Sequence, residues 1–522
     1  MHFNRTQNAA RNIFFGLVLK IYQIITPFVM RTIMIYYMGM KYTGLNSLFT
    51  SVLQVLNLAE LGVGSAMIYS MYRPIIDDDR EQIKSLMRLY RTYYRIIGAI
   101  IAIAGGILTP FIPSLIHGSV PKGMNVYILY LLNLAATVFS YWLFAYKNSL
   151  LDAHQRTDVV SKVTLVTNTI QYILQAWTII GLHNYYVYVM MALFGQLLNN
   201  VIIAFFANKM YPDLHPGKPL DRVSVKKINH RIRDLFTARL GFIVVGPVDT
   251  LFISAFLGLT MLARYQNYFY IITAITGIIN VVFASVTAGI GNSLIVESEE
   301  KNVKDLTKFT FIISWIAGLA SCCLLNLYQP FMELWVGKKN LLDFGVVICL
   351  VIYLYVIEIN QLLNTYKDAG GVWHKDRFRP LVGDVVIVFL DWILIKSWGI
   401  YGVMLSTVFS MVIVTMPWLL YNLFTTMFNK KHVKEYLTKL IFYIIMTVIV
   451  CAATYIACSF IKTRLLVMIP LRLLICLIIA NLIYFLVYKG KEEFFDALTL
   501  ANGLLGNRVP LITRILENHQ RR

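Results

Sequence analysis

The stretch IFFGLVLKIYQIITPFVMRTIMIYYMG, residues 13–39, has only two charged residues, Lys20 and Arg31. A helix of about 20 apolar residues crosses a hydrocarbon core about 30 Å thick, so this stretch is long enough to span a bilayer. About thirteen similar stretches follow it along the chain. The fourteen predicted spans begin near Ile13, Leu45, Tyr93, Met124, Val159, Tyr185, Leu235, Met261, Phe309, Leu341, Pro380, Tyr401, Thr438 and Leu466.

These stretches are expected to be helices. In lipid every backbone N–H and C=O must be satisfied within the segment or in a closed barrel, and barrel strands would alternate apolar and polar residues. The stretches are too long and too uniformly apolar for that alternation. The composition agrees, with 58% hydrophobic residues, 14% charged residues and a mean hydropathy of +0.65. The sequence therefore predicts an all-α polytopic membrane protein with about 14 transmembrane helices.

The basic residues are distributed unevenly over the linkers. About 35 of the 47 Lys and Arg residues lie in the two termini and in every second linker, and about eight lie in the others. By the positive-inside rule both termini are cytoplasmic. Because topology accounts for the net charge of +20, the charge does not indicate nucleic-acid binding.

The chain contains traces of an internal repeat. One pattern recurs at an offset of 220 residues, as Tyr146-Lys147 with His154 and as Tyr366-Lys367 with His374. A second recurs at 219 residues, pairing Lys20 with Arg239 and Gly39 with Gly258. A period near 220 covers six spans, so the copies have the same orientation. The sequence predicts two pseudo-symmetric six-helix bundles, residues 1–208 and 235–428, a basic linker at 209–234, two extra helices at 429–488 and a basic amphipathic tail at 489–522.

Three cations inside predicted spans are candidate substrate-binding residues. Lys20 and Arg31 are eleven residues apart, close to three helical turns, and so lie on one face; Arg239 has the matching place in the second copy. Charges near the bilayer centre are costly and usually face a polar interior. Together these cations suit a phosphate-bearing substrate. The alternative is that Lys20 and Arg239 extend to the headgroups.

Carboxylates inside the spans are candidates for cavity or coupling roles. Thr50, Gln54, Asn57, Glu60 and Gly64 form one polar stripe in the second span. The remaining acids within spans are Asp249, Glu358, Asp384 and Asp391. Glu60 can pair with Arg31, and Asp249 with Arg239. Buried carboxylates carry protons or bind Na⁺, but hydrogen-bonded packing between helices explains them equally well.

The sequence indicates neither a metal site nor a cofactor. The six cysteines fall largely within spans, and no CxxC or Cys/His spacing points to zinc or to a disulfide framework. No GxxxxGK[ST] phosphate loop is present, so ATP hydrolysis by this chain is not expected. No catalytic residues are predicted, and the chain is not expected to be an enzyme.

Several short motifs resemble the bacterial oligosaccharide flippases of the multidrug/oligosaccharidyl-lipid/polysaccharide exporter (MOP) superfamily. The resemblance extends from about Arg11 to about Gly402. It is carried by Arg31-Thr32-Ile33, Tyr42-Thr43-Gly44-Leu45-Asn46, Leu58-Ala59-Glu60-Leu61-Gly62-Val63-Gly64, Phe256-Leu257-Gly258-Leu259, Tyr265-Gln266-Asn267-Tyr268, Glu333-Leu334-Trp335, Lys367-Asp368-Ala369-Gly370 and Asp376-Arg377-Phe378-Arg379-Pro380.

The resemblance implies two six-helix bundles around a central cavity that opens to alternate faces of the bacterial cytoplasmic membrane. It implies a polyprenyl-diphosphate-linked oligosaccharide as substrate, moved outward for capsule, exopolysaccharide or related envelope polymer assembly. It favours Lys20, Arg31, Arg239, Glu60 and Asp249 as contacts. Membrane lipids, a polysaccharide polymerase and glycosyltransferases are the implied partners. In lipid-II-type relatives the two extra helices form a groove for the lipid tail.

The sequence is also compatible with three other functions. A multidrug exporter of the same superfamily is the nearest alternative, but a pore for cationic substrates is expected to prefer acids over Lys20, Arg31 and Arg239. A membrane polymerase or glycosyltransferase generally has a large extracytoplasmic loop, and the linkers on that side are short. A scaffold without transport activity is the remaining alternative.

Overall fold

The computed structural model describes residues 5–243, 245–504, 513–514 and 516. For residues 5–10, 13, 237–243, 245, 285 and 504 it describes the backbone only. The described residues are almost entirely helical, and none of them lies in a β-strand. The predicted fold class, an all-α polytopic membrane protein, is confirmed.

The chain divides into two compact units, Met1–Gln266 and Asn267–Arg522. The helices of unit 1 are α1 (Arg5–Tyr37), α2 (Met40–Leu56), α3 (Val63–Ile76), α4 (Arg80–Leu108), α5 (Val126–Trp142), α6 (Tyr146–Ala153), α7 (Thr157–Trp177), α8 (Tyr185–Met210), α9 (Arg222–Ile243) and the first part of α10 (Val245–Val296). Those of unit 2 are the rest of α10, α11 (Glu299–Val336), α12 (Phe344–Ala369), α13 (Trp373–Asp376), α14 (Arg379–Trp398), α15 (Ile400–Phe409), α16 (Met416–Thr426), α17 (Val433–Ser459), α18 (Leu465–Tyr488) and α19 (Glu492–Leu504).

Residues 235–266, which the sequence assigns to the second bundle, pack with the first part of the chain. Within unit 1, α7 packs against α1 and α8, and α5 packs against α4 and α8. Within unit 2, α11 packs against α12, α17 and α18. The predicted bundle boundaries stay a prediction.

The number of membrane spans agrees only approximately with the predicted fourteen. Among the described residues, ten helices are long and apolar enough to cross a membrane, or eleven if the bent pair α5 and α6 is one span. One of the ten, Gly246–Val296, would be about 75 Å long if straight, far more than one crossing needs. It is broken at Gly258, where the sequence places the turn between spans seven and eight. The structure therefore supports a multi-pass protein without fixing the count at fourteen.

The two glycines that mark the predicted repeat have the same backbone conformation. Gly39, between α1 and α2, has φ 97° and ψ 172°, and Gly258, within α10, has φ 84° and ψ 170°. A positive φ of this size favours glycine because a Cβ would clash with the backbone. Both helical breaks thus occur at the predicted offset and use the same residue for the same physical reason.

A third glycine allows a close approach of two helices in unit 1. A Cβ on Gly44 of α2 would lie 2.1 Å from the carbonyl oxygen of Leu259 in α10. Since the obstructing atom is backbone, no side-chain movement can relieve the overlap. The contact between α2 and the first part of α10 therefore depends on the absence of a side chain at position 44.

A buried carboxylate in unit 1 joins the first helix to the start of α7. Asp158 has no exposed side-chain surface and lies 2.9 Å from Arg11, 3.0 Å from Arg156 and 3.3 Å from Lys162. Asn12 accepts a hydrogen bond from the backbone N–H of Asp158. A buried charge needs compensating partners, and here three cations supply them.

Unit 2 has a buried ion cluster of its own. Arg379 donates to both carboxylate oxygens of Asp376 at 2.7 and 2.8 Å and to Asn364 at 2.8 Å. Asn422 donates to Asp376 at 3.0 Å, and the Lys367 ammonium lies 3.8 Å away. The motif around Asp376 that resembles the flippase family thus fixes α13, α14, α12 and α16 together.

The first part of the predicted tail is a packed helix. Phe494 of α19 is 6% exposed and stacks on Trp315 of α11 with the ring centroids 6.0 Å apart. Glu493 is held by Lys439 of α17 at 2.9 Å. The region Glu492–Leu504 is therefore part of unit 2, and most of the remaining tail lies outside the described residues.

We expect Gly44→Ala to destabilise the protein by about 1–3 kcal/mol, because the added Cβ overlaps the Leu259 backbone. Thermal unfolding of the detergent-solubilised protein measures the effect. Gly16→Ala is the matched control, since a Cβ there meets no atom within 4 Å. Equal melting temperatures for the two variants would contradict the close approach.

We expect Arg379→Ala to cost about 3–5 kcal/mol, because it leaves Asp376 buried without its main partner. Arg377→Ala removes an exposed arginine that lies over the Phe378 ring, and it is expected to change stability little. Thermal unfolding of both variants tests the difference. A loss of stability shared by both variants would show that the ion cluster is not the cause.

Candidate functional site

The first helix has two exposed faces of different character. At 100° per residue, Lys20 and Arg31 are about 20° apart around α1, whereas Ile21 and Ile25 lie about 100–140° away from Lys20. Ile21 and Ile25 are 57% and 56% exposed. The two cations therefore share one face of α1. Their predicted role as cavity cations stays a prediction.

Arg31 and Lys20 differ in their surroundings. Arg31 is half-buried, and its Nη2 donates to the carbonyl oxygen of Ala263 at 3.4 Å. Lys20 is exposed, and no described residue lies within hydrogen-bond or salt-bridge distance of it. Arg31 is therefore partly held by the protein, whereas the Lys20 ammonium is free to reach a ligand or a headgroup.

The third predicted cation, Arg239, lies on α9, and Asp249, the carboxylate predicted to pair with it, lies on α10. The side chain of Arg239 lies outside the described residues. Asp249 is 6% exposed, with Thr250 and Ser254 also buried on the same part of α10. The structure thus places a buried polar stretch in the first part of α10, and the predicted pairing of Asp249 with Arg239 stays a prediction.

A polar cavity lies along the predicted stripe of the second span. It has a volume of about 370 Å³ and is lined by Gln54, Asn57, Glu60, Gly64 and Ser65, with Leu58, Leu61 and Gly62. Four of the five stripe residues line it; Thr50, the fifth, is not among the lining residues. Four residues of the predicted polar stripe thus lie along one cavity, although the helix is broken between Asn57 and Gly62.

The backbone at this cavity is interrupted. Residues Asn57–Glu60 form a 3₁₀ turn between α2 and α3, and Gly62 has a left-handed conformation with φ 84°. A Cβ on Gly62 would lie 2.8 Å from the Leu235 Cβ of α9. Breaks of this kind are found in membrane proteins where the backbone lines a cavity or binding site. Glu60 thus projects from a helix break that α9 packs against.

Tyrosine hydroxyls hold the Glu60 carboxylate. Tyr94 of α4 donates to Oε1 at 2.5 Å, and Tyr141 of α5 donates to Oε2 at 2.8 Å. Among the described residues, no Lys, Arg or His lies within salt-bridge distance of Glu60. The possible pairing of Glu60 with Arg31 is therefore not formed, and two phenols take the place of the cation.

The hydrogen bonds continue behind Tyr94 into the protein. Tyr90 donates to the Tyr94 hydroxyl at 2.6 Å, and Ser149 of α6 donates to Tyr90 at 2.8 Å. Tyr90, Tyr94 and Ser149 are 1%, 7% and 4% exposed. A Cβ on Gly64 would lie 3.2 Å from the Tyr90 hydroxyl, so glycine leaves the space for this chain of hydroxyls. We call Glu60, Tyr94, Tyr141, Tyr90 and Ser149 the Glu60 network.

The carboxylates of unit 2 lie on two helices. Asp391 of α14 is fully buried and accepts a hydrogen bond from Ser406 of α15. Asp384 of α14 is half-buried, and Glu358 of α12 is 1% exposed. Asp384 Oδ2 and Glu358 Oε2 have no hydrogen-bond partner among the described residues. Asp391 therefore joins α14 to α15 through a hydrogen bond. Glu358 and Asp384 make no such interhelical hydrogen bond among the described residues.

An apolar groove of about 590 Å³ lies in unit 2 beside the first of the two extra helices. Its walls come from α11, α12 and α17, and nearly all of its lining is apolar. The lining includes Ile348, Val351, Ile352, Ile444, Val448 and Tyr455. Such a groove offers a surface to a hydrocarbon chain and no polar contact to a headgroup.

Sequence reasoning missed the partners of Glu60 and one further cation. Tyr90 and Tyr94 are four residues apart, so they share a helix face, but nothing in the sequence connects that face to Glu60 or Tyr141. Arg264 lies within α10 and is half-buried. Among the described residues, no group of three or more His, Cys, Asp or Glu side chains has metal-binding geometry.

Sequence comparison and structure comparison give different results. No protein-family model matches the chain. The comparison with curated proteins finds no match.

Solved membrane transporters share the fold. The lipid II flippase MurJ in an inward closed conformation has a TM-score of 0.66 and 16% identity, covering 90% of this chain and 99% of its own. An inward-facing multidrug resistance MATE family transporter of the MOP superfamily has a TM-score of 0.61 and 16% identity, covering 77% and 93%. A MOP superfamily transporter from Pyrococcus furiosus, reported with reversed polarity of its binding pocket, has a TM-score of 0.53 and 14% identity, covering 80% and 94%. The chain has the fold of the MOP superfamily transporters.

Proposed function

We propose that this protein is a flippase that moves a polyprenyl-diphosphate-linked oligosaccharide from the inner to the outer leaflet of the bacterial cytoplasmic membrane. Such a substrate has a long hydrocarbon tail, a negatively charged diphosphate and a polar sugar. The protein therefore needs an apolar surface for the tail and cations for the diphosphate, in a fold that opens to alternate faces of the membrane.

The apolar groove of unit 2 carries the proposal. A tail that stays in lipid while its headgroup crosses needs a continuous apolar surface at the edge of the protein. The groove between α12 and α17 offers about 590 Å³ with almost no polar lining. Helix α17 lies outside the two predicted six-helix bundles, so one wall of this groove comes from the extra helices.

The cations of α1 supply the second requirement. Lys20 and Arg31 share one face of α1. A diphosphate accepts strong, charge-assisted hydrogen bonds, and guanidinium groups bind it with two parallel N–H donors. In this proposal Arg31 contacts the diphosphate, and Arg239 adds a third cation from the second copy.

The extent of the structural matches favours a lipid-linked substrate. The MurJ flippase covers 90% of this chain, whereas the two other transporters cover 77% and 80%. About a fifth of the chain thus has no counterpart in those transporters. The proposal assigns the two extra helices to tail binding, places both termini in the cytoplasm, and makes a polymerase and glycosyltransferases the neighbours in the pathway.

A multidrug exporter is the second candidate, and one observation favours it. The polar cavity of unit 1 contains Glu60, an acid, and no described cation among its lining residues. Such a cavity suits a cationic amphipathic substrate. Efflux of a cationic dye from cells that express the protein distinguishes the candidates, because a lipid-linked oligosaccharide flippase is expected to give none.

We expect Arg31→Ala to reduce flipping by about tenfold or more, since it removes charge-assisted hydrogen bonds to the diphosphate. The measurement is the lipid-linked oligosaccharide that reaches the outer leaflet of liposomes containing the purified protein. Arg31→Lys keeps the charge and is expected to retain part of the activity. Arg73→Ala is the control, because Arg73 is exposed and pairs with Asp77. Full activity of Arg31→Ala would show that Arg31 does not contact the substrate.

We expect Val448→Trp to slow flipping, because the larger side chain fills the apolar groove. Ile445→Trp changes an exposed apolar residue of the same helix that does not line the groove. The same liposome assay is run with long and short prenyl carriers. The slowing should appear with the long carrier and disappear with the short one. Equal slowing of both carriers, or equal slowing by both variants, would argue against tail binding in the groove.

A further inference from the structure

We propose that Arg91 and Arg95 of α4 form a binding site for the phosphate group of an anionic phospholipid on the surface of unit 1. The Tyr146 hydroxyl of α6 completes the site. The orientation in the proposed function places this end of α4 at the inner leaflet. The ligand is a membrane lipid and not the transported substrate, so the inference goes beyond the proposed function and its test needs no transport.

Four basic residues follow one face of the first half of α4. At 100° per residue they lie within about 60° of one another around the helix: Lys84, Arg88, Arg91 and Arg95. Lys84 is held by an acid three residues earlier at 2.8 Å, and Arg88 donates to the carbonyl oxygen of Gly217 at 3.1 Å. Arg91 and Arg95 are exposed, and neither guanidinium forms a hydrogen bond or an ion pair with another described residue. Two of the four cations are thus left for a ligand.

The sequence that follows Arg95 sets the depth of the pair in the membrane. Residues 96–115 contain no charged side chain. As the last part of α4 and the 3₁₀ helix Thr109–Leu115, they extend about 30 Å, which is the thickness of a hydrocarbon core. Arg95 therefore lies at the depth of the lipid phosphates, and Arg91 lies one turn nearer the aqueous phase.

Aromatic residues at the break between α5 and α6 flank the pair. The two helices are bent by 49° at this break, and Phe144 within it has φ 59°. Trp142 packs over Gly98 of α4, where a Cβ would lie 2.3 Å from the indole nitrogen, and it donates to the carbonyl oxygen of Arg95 at 3.1 Å. Trp142 and Phe144 are 44% and 42% exposed. Exposed tryptophans are enriched at membrane interfaces, which agrees with the depth of Arg95.

A neutral donor lies near the two guanidinium groups. Arg91 and Arg95 both act electrostatically on Tyr146, the first residue of α6. The Tyr146 hydroxyl forms no hydrogen bond with another described residue. A guanidinium binds a phosphate with two parallel N–H donors, and a phenol adds an O–H donor. A lipid phosphate at this position therefore joins α4 to α6 across the helix break.

A row of small residues continues from the pair toward the centre of the span. Ala99, Ala102 and Gly106 lie within about 40° of Arg95 around α4. A Cβ on Gly106 would meet no atom within 4 Å, so the row is open at that point. Ile103, which is 65% exposed, borders the row on one side. An acyl chain can lie along this row while its phosphate contacts the arginines.

The charge of the site favours an anionic lipid over a zwitterionic one. Arg91 and Arg95 bring two positive charges, and among the described residues no Asp or Glu lies within ion-pair distance of either. A zwitterionic headgroup brings an ammonium group together with its phosphate, and the site offers that ammonium no acid. Phosphatidylglycerol has the phosphate without the ammonium, and it therefore suits the two arginines.

The second copy of the predicted repeat is built differently at this point. Tyr366, the counterpart of Tyr146 at the offset of 220, is 1% exposed and lies within α12, which is continuous from Phe344 to Ala369. Tyr146, in contrast, begins a new helix after a break. The lipid site therefore comes from the break in unit 1 and not from the pattern that the two copies share.

Native mass spectrometry of the full-length protein in detergent, with added phosphatidylglycerol, tests the site. We expect Arg91→Gln/Arg95→Gln to weaken the affinity for the first bound lipid about tenfold or more, because two charges are lost. Lys226→Gln/Lys227→Gln is the matched control, since it removes two exposed cations of α9 and leaves the site intact. An unchanged affinity in the arginine variant, or equal weakening by both variants, would overturn the proposal.

Thermal unfolding gives a second readout of the same variants. Without lipid, the wild type and Arg91→Gln/Arg95→Gln should melt at the same temperature, because neither guanidinium has a partner in the protein. Phosphatidylglycerol should raise the melting temperature of the wild type and raise that of the arginine variant less. An equal rise in both would contradict a lipid that joins α4 to α6.

Three other ligands distinguish the possible sources of the phosphate. Phosphatidylethanolamine with the same acyl chains should bind the wild type more weakly than phosphatidylglycerol does. Inorganic phosphate should not compete, because it lacks the acyl chains that hold the lipid at the depth of Arg95. Equal binding of the two phospholipids, or competition by inorganic phosphate, would overturn the assignment to an anionic lipid. Displacement of phosphatidylglycerol by a polyprenyl diphosphate at lower concentration would overturn it too, and would assign the arginines to the transported lipid.

Discussion

A charged side chain inside the membrane needs hydrogen-bond partners from the protein, because the surrounding hydrocarbon offers none. The same constraint applies to any charge buried in the protein, and three sites satisfy it in the same way. Asp158 is surrounded by three cations, and Asp376 is held by Arg379 with two amides. Arg472 of α18 donates to the carbonyl oxygens of Asn326 and Ile461 at 3.3 Å each. In each case the charge joins several helices, so satisfying it also fixes their packing.

Glu60 satisfies the same constraint in a different way. Its partners are neutral phenols, which stabilise the negative charge without neutralising it. The two kinds of site differ in their partners. Asp158 and Asp376 join helices through ion pairs, whereas Glu60 joins the turn between α2 and α3 to α4 and α5 through neutral hydrogen bonds.

The sequence predicted those parts of the structure that depend on local pattern. Hydropathy identified the helical membrane fold, and the spacing from Gln54 to Gly64 identified a polar stripe whose residues mostly line one cavity. The repeat paired Gly39 with Gly258, and both glycines lie at helical breaks with a positive φ. The start of a predicted span is not the start of its helix: α4 begins at Arg80, well before the span predicted near Tyr93. Hydropathy detects the apolar part of a helix and not the basic segment that precedes it.

The Glu60 network was not predictable in the same way. Tyr94 and Tyr141 are 34 and 81 residues from Glu60 along the chain. Their approach depends on how α4 and α5 pack, and a tyrosine in a span reads equally well as an interfacial residue. The ion clusters were also not predictable, because the burial of their charged residues depends on how the helices pack. The lysines of the repeated Tyr-Lys pattern, Lys147 and Lys367, are both buried, at 2% and 5% exposure.

The two copies of the repeat have lysines at matching positions, but these lysines have different partners. Lys147 donates to the carbonyl oxygen of Leu214 at 3.2 Å, whereas Lys367 lies 2.9 Å from Asp368. Asp158 reaches back to Arg11 of the first helix, whereas Asp376 is satisfied within unit 2 by Arg379. The ion cluster around Asp158 thus ties α1, which carries Lys20 and Arg31, to the start of α7. Helix α1, whose cations the proposed function assigns to the diphosphate, is therefore anchored at one end by an ion cluster and is separated from α2 at the other end by a glycine break. Movement of such a helix is expected at the glycine end, since the anchored end would have to expose a buried charge in order to move.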